Sequence, residues 1–75
     1  MEKEIIDIIA NALDLKFSEI SIDSTANEIV EWDSLGHLSL LQQLDIKYDD
    51  ITERAPELAS ASTVREIVEA VKTHQ

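Results

Sequence analysis

Apolar side chains fall at Ile5, Ile6, Ile9, Ala10 and Leu13 near the start of the chain. These positions share one side of an α-helix, whose period is about 3.6 residues. Glu2 and Glu4 sit in the first turn, where carboxylates meet the positive end of the helix dipole. The spacing predicts a first helix over about residues 2–15. The period is then lost. Over residues 16–33, Phe17, Ile20, Ile22 and Ile29 are scattered among Ser, Asp, Thr, Asn and Glu. That pattern predicts a long loop pinned to a core by separate apolar anchors, and a loop of this length in a small domain usually needs a reason, function being one.

Periodicity returns at Leu38, Leu41, Leu44 and Tyr48, with Leu40 widening the buried face and Leu35 in the first turn. Asp33 and Ser34 both suit the N-cap, so the second helix is predicted to begin at one of them. Asp49-Asp50 breaks the pattern. Residues 51–61 are mixed, and Pro56 is tolerated only in a first turn, which allows a short helix near residues 53–59. Thr63 followed by Glu66 forms a capping box, and Val64, Ile67, Val68 and Val71 trace the face of a final helix. Three longer helices, one short one and a long first loop predict an all-α, four-helix bundle as a single domain. Its expected core is Ile5, Ile9, Leu13, Leu41, Leu44, Ile67, Val68 and Val71.

Composition narrows this further. Seventy-five residues make one small domain, too short to wall off a deep catalytic cleft. One Gly, one Pro and 4% aromatic residues argue against a β-sandwich or barrel. The absence of Cys excludes a disulfide framework, a zinc-thiolate site and a catalytic thiol, and fits a cytoplasmic chain. Six basic residues against sixteen acidic ones give a formal charge of −10, which repels nucleic acid and anionic membranes and favours basic protein partners. No apolar run is long enough to span a membrane, and Met-Glu-Lys-Glu does not open a signal peptide.

The candidate chemistry lies at Trp32-Asp33-Ser34-Leu35-Gly36-His37. Ser34 could serve only as a cap. Asp33 beside it supplies a second good cap, and an anion carried on Ser34 would meet a favourable field at the helix start. His37 lies one turn on. A Ser–His pair invites a hydrolase, but a small helical bundle with one Gly offers neither a base orienter nor an oxyanion hole. His37 is therefore expected to be a partly exposed neighbour of Ser34, and His74 to have no specific role. Asp45, Asp49, Asp50 and Glu53 lack the ligand spacing of an EF-hand and read as a solvated acidic face. Trp32 is either a loop anchor or an exposed contact for a partner.

Asp33-Ser34-Leu35 at the head of an apolar helix, in an acidic helical chain of this length, resembles the acyl and peptidyl carrier proteins. The long preceding loop, the short helix and the Ser62-Thr63-Val64 start of the last helix are similar too. The resemblance implies that Ser34 carries 4′-phosphopantetheine, attached by a phosphopantetheinyl transferase from coenzyme A. The arm would hold an acyl group as a thioester and supply the sulfur this chain lacks. It implies that Asp33 aids transferase recognition and that Leu35, Leu38, Gln42, Asp45 and Trp32 meet acyl-activating, acyltransferase or synthase enzymes.

The chain departs from fatty-acid carriers at Gly36 and Ser39, which replace acids, and at Gln42, which replaces an apolar residue. Asp45 keeps one acid, and Lys47 weakens the patch. These departures point to a specialised pathway. The expectation is a discrete monomeric acyl carrier that catalyses nothing itself. A peptidyl or D-alanyl carrier loaded by an adenylating enzyme, and an unmodified acidic helical adaptor, are the alternatives.

Overall fold

The computed structural model describes residues 1–75 and is all-α. Helix α1 spans Glu2–Ala12, α2 Ser34–Tyr48, α3 Ile51–Arg54 and α4 Val64–His74. Two 3-10 turns, Phe17–Glu19 and Pro56–Ser60, lie between them. The only β pairing is an isolated antiparallel bridge between Thr25 and Thr63.

Helix α1 buries Ile5, Ile6, Ile9 and Ala10, with Leu13 just beyond. It ends before the predicted Leu15 because Asp14 takes the left-handed conformation, φ 59°. Leu15 N–H then donates back to the Ala10 carbonyl at 2.8 Å, closing the end as a Schellman-type cap.

The loop that follows is held at both ends. Ile20 is buried, Ile22 and Ile29 are half-buried, and Phe17 alone of the expected anchors is exposed. Ala26 N–H donates to the Ser62 carbonyl at 2.8 Å, and Val64 N–H to the Ser24 carbonyl at 3.0 Å. The middle of the loop is thereby stitched to the start of α4, although no regular element holds it.

Helix α2 carries apolar residues on two faces. Leu40, Leu44 and Tyr48 are buried and Leu41 is half-buried, while Leu35, Leu38 and Ile46 face outward. Two corrections follow: Leu40 rather than Leu41 fills the core, and Leu38 lies outside the buried face. Asp49 and Asp50 both adopt left-handed φ, 53° and 57°, and reverse the chain into α3. The Arg54 guanidinium closes this corner, donating to the Tyr48 carbonyl at 2.7 Å and to the Asp49 carbonyl. Its Nε donates to the His74 carbonyl at 3.2 Å, so one cation satisfies the ends of α2 and α4.

The predicted short helix at residues 53–59 is in fact two pieces. Helix α3 starts at Ile51, and Pro56, which has no N–H to give, opens a separate 3-10 turn. Helix α4 starts at the predicted Thr63 cap, with half of the expected capping box: Glu66 N–H donates to Thr63 Oγ1 at 3.0 Å, but Glu66 Oε1 accepts from Ser62 N–H, one residue before the cap, at 3.0 Å.

The core comprises 19 buried residues, all apolar or aromatic, including every expected core residue except Leu41. Tyr48 brings the one buried side-chain polar atom without a partner. Its buried hydroxyl makes no hydrogen bond within the protein, and burial, with the nearby Glu4 charge, raises its pKa above the usual 10.0.

Candidate functional site

Asp33 is the N-cap of α2. Its backbone is extended and its Oδ1 accepts from Gly36 N–H at 2.8 Å. Ser34 is therefore the first helical residue rather than the cap. It is exposed, and its hydroxyl makes no hydrogen bond. Of the two roles open to Ser34 in the sequence, capping belongs to its neighbour. The first-turn N–H groups of a fifteen-residue helix lie beside this hydroxyl and favour an added anion.

Gly36 has a steric role. A Cβ there would overlap the Glu31 carbonyl oxygen and lie 2.8 Å from Leu13 Cδ2. Only a residue without a side chain lets the loop backbone pass this close to α2. Ser39 is likewise used internally, its hydroxyl donating to the Ala12 carbonyl at 3.3 Å at the end of α1.

Trp32 is 5% exposed. It is a core anchor, which corrects its assignment to a partner-contacting surface. Its indole N–H donates to His37 Nδ1 at 2.9 Å, and the two rings are nearly parallel, at 11°. His37 Nε2 lies 2.9 Å from the Leu58 carbonyl oxygen. His37 is partly buried, as expected, but it spends both ring nitrogens on structure and does not pair with Ser34.

A cleft of about 540 Å3 opens beside Ser34. It is lined by Asp33, Ser34 and His37 from α2, by Ala26 and Trp32 from the loop, and by residues 59–61. A second surface cleft, of about 430 Å3, lies over α4 between Glu57, Glu66 and Glu69 and shares only Ser60 with the first.

Leu35, Leu38, Gln42 and Ile46 follow at spacings of three, four and four, so they share one face of α2. All four are exposed, Leu35 and Ile46 at 78% and Leu38 at 53%. Val30, 89% exposed, lies in the loop just before the helix. Sequence reasoning missed Ile46 and Val30, although Ile46 extends the same spacing by one turn.

Asp45, two turns after Leu38, lies at the edge of that face. It is half-buried, and its two oxygens accept from Thr52 N–H and Thr52 Oγ1, each at 2.9 Å. The carboxylate ties α2 to α3. Asp49, Asp50 and Glu53 are exposed, and no three His, Asp or Glu side chains are arranged to hold a metal ion. His74 has a role the sequence did not suggest. Its ring meets Glu57 Oε2 at 2.8 Å, and the Glu57 carboxyl is held below its usual pKa by its own backbone N–H and by that ring.

No family model, curated protein or solved structure matches this chain. No helix is long and apolar enough to cross a membrane. The chemistry available is therefore that of an open hydroxyl at a helix start, beside a shallow cleft and an exposed apolar stripe.

Proposed function

We propose that this chain is a discrete carrier protein of the acyl-carrier type, with Ser34 as the attachment point for 4′-phosphopantetheine. One observation carries the reading. Asp33 does the capping, which leaves the Ser34 hydroxyl exposed and unpaired at the head of α2. A serine kept free where the helix dipole and unpaired N–H groups favour an anion suits a phosphodiester. Attachment joins Ser34 Oγ to phosphorus, with the adenosine bisphosphate half of coenzyme A leaving. The group would supply a terminal thiol able to hold an acyl chain as a thioester.

The chain's own residues do the rest. Asp33 fixes the first turn through Gly36 N–H and offers a transferase an adjacent carboxylate. Trp32 and His37 hold the loop against α2. Leu35, Leu38 and Ile46, with Gln42 between them, form an exposed stripe on which partner enzymes dock. The core residues Ile5, Ile9, Leu40, Leu44, Ile51 and Leu58 are each fully buried. The cleft beside Ser34 reaches the core at Trp32 and Ala61, and short or polar cargo would need no deeper cavity.

A peptidyl or D-alanyl carrier charged by an adenylating enzyme uses the same serine, and competing loading with amino acids and fatty acids separates it. The exposed stripe and the charge of −10 support a second reading, an unmodified acidic adaptor for basic proteins. Intact mass after incubation with coenzyme A and a broad-specificity transferase decides between the classes. The carrier gains one phosphopantetheine, and Ser34→Ala gains none. An unchanged mass with a transferase active on a control carrier refutes the proposal.

A further inference from the structure

We propose that His37 is a positioning residue for Ser34, tethering the loop before the serine only while its ring is neutral. The inference rests on the reading of Ser34 as an attachment point. His37 sits one turn into α2 between two partners of opposite kind. The Trp32 indole N–H can only donate, and it meets Nδ1 at 2.9 Å. The Leu58 carbonyl can only accept, and it lies 2.9 Å from Nε2. The partners thereby specify the tautomer: Nε2 carries the hydrogen and Nδ1 is bare. The Leu58 oxygen also accepts from Ala61 N–H at 3.3 Å, which fixes it within the second 3-10 turn. One ring thus joins three segments: the loop before Ser34, the first turn of α2 and the turn at Pro56–Ser60.

A proton added at Nδ1 sets two donors head to head. The bond to Leu58 survives and gains charge assistance, whereas the bond from Trp32 cannot form. The indole N–H has no other partner in the protein, and Trp32 is 5% exposed, so its ring must shift in its seat. Trp32 adjoins the Asp33 cap and lies two residues before Ser34. Its movement therefore reaches the cap and the orientation of the Ser34 hydroxyl. Histidine is the side chain whose charge ordinarily changes between about pH 5 and 8.

The ionisable groups next in sequence to the ring's two partners are carboxylates, one of them paired with His74. Glu31 and Asp33 flank Trp32, Asp33 also lining the cleft with His37. Glu57 precedes Leu58 and is held by His74 at 2.8 Å. His37→Gln keeps all three, and can still donate to Leu58, so it isolates the ring.

Trp32 is the only tryptophan, so a nitrogen–proton correlation spectrum of the unmodified chain shows one indole N–H resonance. As acid protonates the His37 ring, that resonance should move toward the position of an unbonded indole. The Asp33 and Ser34 backbone amides should follow with the same midpoint. In His37→Gln the indole resonance should stay fixed, and in Trp32→Phe the two amides should stop responding. The rate of Ser34 modification, taken as a ratio to His37→Gln at each pH, should fall about fivefold across that titration, the factor one hydrogen bond supplies. An indole resonance that holds still while the His37 ring protons titrate overturns the tether, as do Asp33 and Ser34 amides that ignore it. The spectra need no attached group. A chain that shows the indole response yet is never modified sinks the carrier reading alone.

Discussion

Gly36→Ala sets two physical effects against each other, and the structure decides the sign. By helix propensity, replacing glycine inside a helix with alanine should stabilise the protein by up to about 1 kcal/mol. Sterics say the reverse. The new Cβ would overlap the Glu31 carbonyl oxygen and sit 2.8 Å from Leu13 Cδ2, below the 3.0 Å that Cβ contacts essentially never breach. The first obstacle is backbone, so the loop must retreat by about 1 Å rather than a side chain turn aside. Overpacking of this kind costs about 1–3 kcal/mol. The loop cannot retreat alone, because Trp32 follows Glu31 and is held by His37, and that hydrogen bond contributes about 1 kcal/mol. The net expectation is a loss of about 1–3 kcal/mol, or a melting temperature lower by about 5–20 °C in a domain of this size. Thermal unfolding by circular dichroism, with urea titration read on Trp32 fluorescence, measures it. Trp32 emission should also shift to longer wavelength in the folded variant as the indole loses its seat. A Gly36→Ala protein as stable as the parent, or more stable, would show that the loop does not press on α2 as described.

Three further outcomes follow from particular atoms. Tyr48→Phe removes a buried hydroxyl with no partner, so stability should hold or rise by up to about 1–2 kcal/mol by urea titration, and a clear loss would mean the hydroxyl is satisfied in solution. The Glu66 carboxyl is held below its usual 4.5, first by Ser62 N–H and then by the Thr63 hydroxyl, and Glu57 is lowered too. A lowered folded-state pKa adds stability above the ordinary glutamate value and loses it as pH falls through the folded value, so acid unfolding should begin below about pH 4.5 and Glu66→Gln should flatten it. Leu35→Glu and Leu38→Glu should slow cargo loading while leaving far-ultraviolet circular dichroism unchanged, and undiminished loading would place docking elsewhere.

Sequence reasoning succeeded where one signal had one meaning. The start of α4 was legible because Thr63 caps it through Glu66 N–H and the apolar residues behind them occupy a single face. It failed in α2, where apolar residues line two faces and periodicity alone cannot say which is buried. Leu44 and Tyr48 are buried as the spacing predicts and Leu40 is enclosed with them, whereas Leu38 faces outward and Leu41 is half-buried. Local backbone was also hidden. Asp14 ends α1 in a left-handed conformation that glycine would have advertised and aspartate does not. The pairing of Trp32 with His37 had no sequence signal, because five residues spanning a helix cap obey neither helical nor strand spacing. Arg54 and His74 were missed for a related reason: both act across distant segments, on carbonyls and a carboxylate that sequence cannot bring together.

The residues around Ser34 also change what the charge pattern can be asked to explain. Gly36, Ser39 and Asp45 looked in the sequence like choices made for partners. Each has an internal use: Gly36 clears the Glu31 carbonyl, Ser39 takes the Ala12 carbonyl, and Asp45 binds Thr52 twice. An acid at position 36 would collide with the loop whatever enzyme docked there, so its absence carries no information about the pathway. What remains free to encode recognition is the stripe of Leu35, Leu38, Gln42 and Ile46, which no part of the fold requires to face solvent. Three of those four are apolar, so a partner would gain more from burying them than from pairing charges, which chiefly steer the encounter. On the carrier reading proposed above, specificity is thus better sought in the shape of the α2 face than in its count of acids.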